Sequence, residues 1–282
     1  MVGRYKGKIL FVNLSSGDLK EEAPDEQLYK DFVGGAGLGA RILYSRQKAG
    51  VDPLGPENIL GFVTGPLTGT PAVTGTRYQA VARSPLTGGW GDANSGGYFG
   101  PYLKFAGYDA VFFTGIADKP GYLFIDNGKA EIRDAGHLWG KNTYETEDML
   151  ADELSKDVHT VCIGPSGEKL SLISCIITTR GSAAGRSGLG AVMGSKKLKA
   201  VTVRGNMDVP LADKAVANRL RHEHVQDLRI FKRRGMEFLK FHHTYGTADQ
   251  ADLAAHNGDA PVKNWGGIGI IDMPDVSGLT LE

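Results

Sequence analysis

The chain has 282 residues, enough for one or two domains with a substantial core. Lysine plus arginine and aspartate plus glutamate both total 32, so the formal charge is zero, which argues against a nucleic-acid or membrane-surface partner because both need a one-signed field. Glycine is the outlier: its 40 residues are about twice the usual ~7%, and they fall in short bursts between apolar runs, as tight loops do.

Residues 8–14 (KILFVNL) followed by SSGD read as a strand and turn. Their apolar stretch is too short for a signal peptide or a membrane span, which leads to the expectation of a soluble cytoplasmic protein. Glu26 to Phe32 reads as a short helix, and a glycine turn opens a second one over about 37–48. Gly35, Gly37 and Gly39 alternate in VGGAGLGA, but the G-x-G-x-x-G spacing of a dinucleotide fingerprint is absent and a helix-like segment precedes it. The expected role is therefore a tight turn that lets the second helix pack closely.

From there to about residue 205, β-rich runs with glycine punctuation dominate: NILGFVTG, RYQAVARS, DAVFFTG, GYLFIDNG, AEIRDA, HTVCIG, LSLISCIITT and KAVTVRG. Helical patterns interrupt them near 101–107 and 143–155. The two cysteines, Cys162 and Cys175, sit inside apolar runs without CxxC spacing and read as buried thiols on strands of an intracellular protein. After Val209-Pro210 the composition changes. Asp213 is placed to cap a helix with apolar Val216, Leu220, Leu228 and Phe231, and a second helix runs from about Thr247 to Ala255 with Asn257-Gly258 as its stop. The expectation is an α+β domain over 1–208 followed by the start of an all-α domain over 209–282.

The first domain contains an internal repeat. One half reads GPLTGT, strand RYQAVARS, loop GGWGDANSGGYFG, a short helix and strand AVFFTGIADKP. The other reads GPSGE, strand LSLISCIITT, loop RGSAAGRSGLGAVMG, a short turn and strand AVTVRGNMDVP. Two similar β-sheet halves related by a pseudo-two-fold would bring the glycine loops 88–98 and 180–190 to one face, as a cradle. Such loops present backbone N–H groups to anions and carbonyls to a hard cation such as magnesium. Arg77, Asn94 and Arg186 stand around them, and a phosphorylated cofactor is the ligand this chemistry favours over plain β-turns with surface arginines. Arg77 is expected to be partly buried at the rim.

The elements GPLTGT, TRYQAVARSPLTGGWGDANSGGYFG, LKFAGYDAVFFTG, GPSGE and AAGRSGLGAVMGSKKLKAV strongly resemble the aldehyde ferredoxin oxidoreductase family, from about Gly7 to Trp265, including YGTA (245–248), Asn257-Gly258 and PVKNW (261–265). The resemblance implies a tungsten-dependent, oxygen-sensitive enzyme of archaea or anaerobic bacteria, with a tungsten bis-pterin (tungstopterin) whose phosphates are bridged by magnesium. It implies that Arg77 contacts the pterin, that Gly96 lies against it, and that the backbone carbonyls of Asn94 and Ala183 reach magnesium. Ser95, Gly97, Ala184, Gly185 and Arg186 complete the implied cofactor-binding set, with no catalytic residue in this chain.

Two departures stand out. Ser182 replaces the arginine that the family usually writes before Ala-Ala-Gly-Arg, so any phosphate contact it makes is missing or moved to Arg180. Family enzymes are also roughly twice as long, and their further helical domains carry a 4Fe-4S cluster and the acid–base residues. The expectation is that this chain is a fragment, a truncated product or one part of a split enzyme, inactive alone. The resemblance implies oxidation of an aldehyde with water to a carboxylate, electrons passing through the cluster to ferredoxin or an electron-transfer subunit. Other implied partners are an aldehyde or other oxo substrate, the missing helical domains or a companion chain, and a second copy in a homodimer. The alternatives are a subunit of a related tungsten enzyme such as a benzoyl-CoA reductase, a non-catalytic cofactor-binding module, and a β-rich scaffold without cofactor.

Overall fold

Strand β1 (Ile9–Asn13) is apolar at its first four positions and pairs antiparallel with the polar β2 (Asp18–Glu22), which forms an outer edge. Two helices follow. In α1 (Glu26–Phe32) Asp25 accepts the Gln27 N–H as N-cap, and α2 spans Gly35–Arg46. The first sheet is completed by β3 (Leu60–Thr64), β4 (Tyr78–Arg83), β5 (Trp90–Ser95), helix α3 (Phe99–Phe105) and β6 (Ala110–Thr114), in the order β2-β1-β6-β3-β4-β5.

The second sheet repeats this plan. Strands β7 (Gly121–Asp126) and β8 (Lys129–Asp134) precede α4 (Thr143–Glu153), which starts on a capping box between Asn142 and Glu145. Then come β9 (His159–Cys162), α5 (Pro165–Glu168), β10 (Ile176–Thr178), β11 (Ser182–Ala184), α6 (Leu189–Ser195) and β12 (Leu198–Arg204). The order β8-β7-β12-β9-β10-β11 matches the first sheet position for position, including one parallel pair in each, β1 with β6 and β7 with β12. The repeat thus extends further upstream than the glycine loops suggested, taking in β1, β2 and the crossover helices of the first half and their counterparts in the second.

Burial follows from this layering. Leu10, Phe62, Tyr78 and Phe113 of one sheet and Leu123, Val161, Val201 and Val203 of the other share a single core with Phe99, Leu103, Val192 and Met193 of α3 and α6. A second core lies under α1 and α2, and a third under α4. Gly39 shows why α2 is glycine-rich: a Cβ there would lie 3.0 Å from both Val81 methyls, so the helix packs closely on β4, as expected.

The computed structural model describes residues 5–233, 237–260, 262–263 and 266–267. It divides into a unit of residues 1–218 and a unit of residues 219–282, the division falling within helix α7 (Lys214–Arg233). Asp213 caps α7 by accepting the Val216 N–H at 2.9 Å. The second unit holds α8 (Glu237–Tyr245), a 3-10 turn (Gly246–Gln250) and α9 (Ala251–Asn257), which stops at left-handed Gly258. The Phe231 side chain and Pro261, Asn264 and Trp265 lie outside the described residues. Among the described residues no helix is long and apolar enough to cross a membrane. Two readings need correction. Only Ile176–Thr178 of LSLISCIITT is strand, and Cys175 is half-buried in the loop before it, whereas Cys162 is buried on β9. Several residues of that run are exposed (Ile173 is 78% exposed), so apolarity there does not mark a core strand.

Candidate functional site

Strands β5 and β11 are the end strands of their sheets, and the halves meet beside them. A Cβ on Gly91 would lie 3.1 Å from the Cβ of Ser187, and Ser84 Oγ donates to the Ser187 carbonyl at 2.8 Å. Ser187 Oγ in turn donates to the Asp92 carbonyl at 3.3 Å. The loops 88–98 and 180–190 therefore lie together. That contact also orients the edge. Carbonyls two residues apart in a strand point to the same side, so the Asn94 carbonyl points, like that of Asp92, away from β4.

The strand registers give the internal equivalences. With Gly65-Pro66 set against Gly164-Pro165, Gln79 falls on Ile177, and their cross-strand partners Asn94 and Ala183 fall on each other. The two residues assigned to magnesium by family resemblance thus occupy one position of a duplicated sheet. The Asn94 side chain is tied back, its amide donating to Gln79 Oε1 at 2.9 Å, while Gln79 donates to Asp92 at 2.7 Å. What it presents along the free edge is backbone.

Arg77 lies across Gly96, where a Cβ would come within 3.3 Å of Nη1. Arg77 is exposed rather than partly buried, because β4 begins one residue later and only from Tyr78 does the chain enter the core. Arg186 and Gly185 are exposed too, and neither Arg77 nor Arg186 has a side-chain partner among the described residues. Ala183 is exposed, whereas Ala184 faces the shared core. Ser95 is buried, and its Oγ, like Tyr78 Oη across the strand pair, has no hydrogen-bond partner among the described residues. Ser182 pairs with Thr178 in β11. Arg180 is engaged elsewhere: it ion-pairs with Asp148 and its guanidinium lies over Tyr144.

Gly97 lies where the two loops touch. Its φ is +79°, and a Cβ would meet Thr179 Oγ1 at 2.5 Å. Thr179 and Arg180 both have positive φ, 50° and 57°, and the Gly181 N–H donates to the Thr178 carbonyl at 3.2 Å. This is a turn of the left-handed kind usually written Asn-Gly; a β-branched residue there is strained by about 1–3 kcal/mol. Reading the sequence missed it, since Thr-Arg carries no turn signal. It is held by Glu147, which accepts the Arg180 N–H, and by the Tyr98 N–H, which donates to Thr179 Oγ1 at 3.2 Å.

Each half also has a cleft between its crossover helix and the β-hairpin beside it. In the first half Leu43, Tyr44 and Trp90 line about 400 Å³, with Tyr44 87% exposed. In the second, Tyr98, Glu147, Asp148, His159, Thr179 and Arg180 line about 410 Å³. Burial raises the Glu147 carboxyl above the usual carboxylate range and lowers His159 below the ordinary histidine value.

Free carbonyls, unopposed arginines and glycines that leave room for a flat body fit a planar, phosphorylated cofactor with a bound divalent cation. Residues 9–205 match the family model described as aldehyde ferredoxin oxidoreductase, N-terminal domain. The tungsten-containing aldehyde ferredoxin oxidoreductase of Pyrococcus furiosus is 48% identical over 94% of this chain and 43% of its own length. The WOR-like subunit of an aliphatic sulfonate oxidoreductase from the same organism is 35% identical over 93% of this chain and 43% of its own. Among solved structures, the active-site complex of benzoyl-coenzyme A reductase with 1,5-dienoyl-CoA aligns with a TM-score of 0.80 and 38% identity, over 83% of this chain and 36% of that one. The chain spans less than half the length of these relatives, and it belongs to the aldehyde ferredoxin oxidoreductase family.

Proposed function

We propose that this chain is the cofactor-cradling part of a cytoplasmic tungsten-pterin oxidoreductase that converts an aldehyde and water to a carboxylate. Residues 1–208 form the cradle domain and 209–282 begin a helical one. The observation that carries the reading is the pairing of two free edges, β5 and β11, with Asn94 and Ala183 at equivalent positions. Their carbonyls hold magnesium, Arg77 and Arg186 meet the phosphates, and the backbone from Ser95 to Gly97 and from Ala184 to Gly185 lets the ring system approach. When bound, the tungsten bis-pterin supplies a two-electron oxo-transfer centre. The chain's own contribution is to bind and orient it. A 4Fe-4S cluster, held by residues outside this chain, would relay the electrons to ferredoxin or an electron-transfer subunit.

Elemental analysis of the anaerobically purified native protein or complex tests the reading: tungsten or molybdenum is expected, and absence of both ends it. In the loaded protein Arg77→Ala should lower cofactor occupancy, through loss of a charge-assisted contact of about 1.5–3 kcal/mol. Equal occupancy with and without Arg77 would remove that residue from the site. The likeness to a benzoyl-coenzyme A reductase complex supports a second reading, a subunit of a related enzyme acting on another oxo or acyl compound. A CxxCxxxC segment in the adjoining coding sequence favours the first.

A further inference from the structure

Beside the cradle, an imidazole from one half is packed between two rings of the other. His159 opens β9, and its ring centroid lies 3.7 Å from that of Tyr102 and 5.5 Å from that of Tyr98. Neither ring nitrogen has a hydrogen-bond partner among the described residues. Tyr98 follows Gly97 directly, and its backbone N–H is the one that secures the left-handed Thr179. Imidazole, tyrosine pair and strained turn thus form one seam between the halves, and the polar cleft of about 410 Å³ borders it.

We propose that His159 is a proton-operated wedge: neutral, it seals the seam that keeps Gly97 against Thr179; protonated, it leaves the tyrosine pair for the cleft and lets the seam open. An imidazolium carries two N–H donors, and its stacked position offers them no acceptor. The cleft does, in the carboxylates of Glu147 and Asp148. Asp157, two residues before His159, also favours the charged ring, whereas Lys156, Arg180 and Arg204 of β12 oppose it. Stacking of an imidazolium on tyrosine faces is attractive as well. Burial nevertheless outweighs the attraction of Asp157 and keeps the ring neutral below the ordinary histidine value. Glu147, with its raised carboxyl, is placed to lose its charge early as pH falls, which loosens its hold on the Arg180 N–H and leaves Asp148 as the carboxylate that receives the ring. With the Tyr98 bond gone, the left-handed turn keeps the Glu147 contact to Arg180, the Gly181 N–H bond to the Thr178 carbonyl and the long contact between the Thr178 and Thr179 hydroxyls, and it loses its one tie to the other half. The seam should therefore close above the ordinary histidine range and open below it.

The consequence for a cofactor rests on the proposed cradle, but the seam itself is testable on this chain alone. Hydrogen exchange of the peptide covering residues 95–103 is followed by mass spectrometry at pH 7.5 and 5.5, each corrected for the intrinsic rate. Protection of the Tyr98 amide should fall severalfold at the lower pH, about tenfold at most, since pH 5.5 lies one unit below the ordinary histidine value. The peptide covering β7 and β8 should not change. His159→Phe keeps a ring that cannot be protonated and should abolish the pH effect, and His159→Gln serves if that variant does not fold. Equal loss of protection in these variants, no loss in the unaltered chain, or an imidazole titration at or above the ordinary value would overturn the wedge. Absence of metal from the native protein would overturn the cradle and leave the exchange result standing.

Discussion

The two halves share a plan and differ in what they bury. The registers that align Asn94 with Ala183 also align Asp109, the residue before β6, with Lys199, the second residue of β12. Both carbonyls do the same work, Asp109 accepting the Thr64 N–H at 2.9 Å and Lys199 that of Ile163 at 3.2 Å. Both side chains are buried, yet one gathers donors and the other acceptors. Asp109 accepts the backbone N–H groups of Lys6 and Gly7 and the Tyr29 hydroxyl. Lys199 donates to the carbonyls of Lys141 and Ile163 and to Glu168, at 2.5–2.8 Å. The lesson is that a duplicated backbone constrains where a polar anchor is needed and leaves its sign free.

The largest expected effect comes from removing an anchor. Lys199→Met leaves the buried Glu168 carboxylate with the Gly140 N–H but no cation, takes the donor from two carbonyls, and should cost about 3–5 kcal/mol, read from the urea midpoint. Adding Glu168→Leu should recover most of this, and a double variant no better than the single one would show that the two residues do not act as a pair. Asp109→Ala should cost a similar amount, so a much smaller loss would break the parallel between the halves.

Lys196 supplies the sharper contrast, three residues from Lys199. It is fully buried with a single partner among the described residues, the Gly115 carbonyl at 3.2 Å, and burial pushes its pKa down to about 8. Lys196→Met should therefore be neutral or stabilising at pH 7, by up to ~2 kcal/mol, where its neighbour's replacement is severe. Lys104, near Asp109 at 3.8 Å, is also held at about 8. For both, the unfolded chain keeps its proton up to the ordinary lysine value, so more protons are bound unfolded than folded between about pH 8 and 10.5. Stability should rise with pH across that window, and Lys196→Met should reduce the slope of midpoint against pH.

At the cradle the expected effects are smaller. Gly97→Ala combines positive φ with a clash on Thr179 and should cost about 1–3 kcal/mol, whereas Gly185→Ala, whose Cβ would lie 3.6 Å from Cys175 Sγ, should be nearly silent in thermal melts. Arg83→Ala loses bonds to the Gly88 and Val51 carbonyls and should cost about 1–2 kcal/mol. Exposed Arg77→Ala should stay within about 0.5 kcal/mol. The smallest net change lies at Lys197, aligned with Gly107: both have positive φ, and the gain of at most ~1 kcal/mol from Lys197→Gly is largely offset by loss of the Nζ bond to the Asp118 carbonyl.

These contrasts also separate what could be read in the sequence from what could not. The glycine loops were legible because left-handed or crowded backbone leaves a compositional mark, and α1 was legible to the residue because Asp25 and the apolar spacing agree. The full extent of the repeat was hidden, since strand pairing depends on side-chain direction and not identity: Tyr78 falls on Ile176 and Asp109 on Lys199 without any likeness. The exposure of Arg77 depended on where β4 starts. The Thr179–Arg180 turn and the His159 wedge were invisible for a related reason, both being held by residues distant in the chain, Glu147, Tyr98 and Tyr102.

Both halves end in a strand with one row of backbone groups that, among the described residues, no other strand completes. To an extended peptide, β5 and β11 are unfinished ladders where Ser187 does not already bond the Asp92 carbonyl, and β5 is six residues long with Trp90 45% exposed at its start. Self-association of this chain should then grow with concentration through strand addition at β5 before the three-residue β11, and a proline in place of Asn94, whose N–H points away from β4, should suppress it. Anything that lies across those edges acts as a stopper as well as a ligand, so solubility and occupancy should rise together.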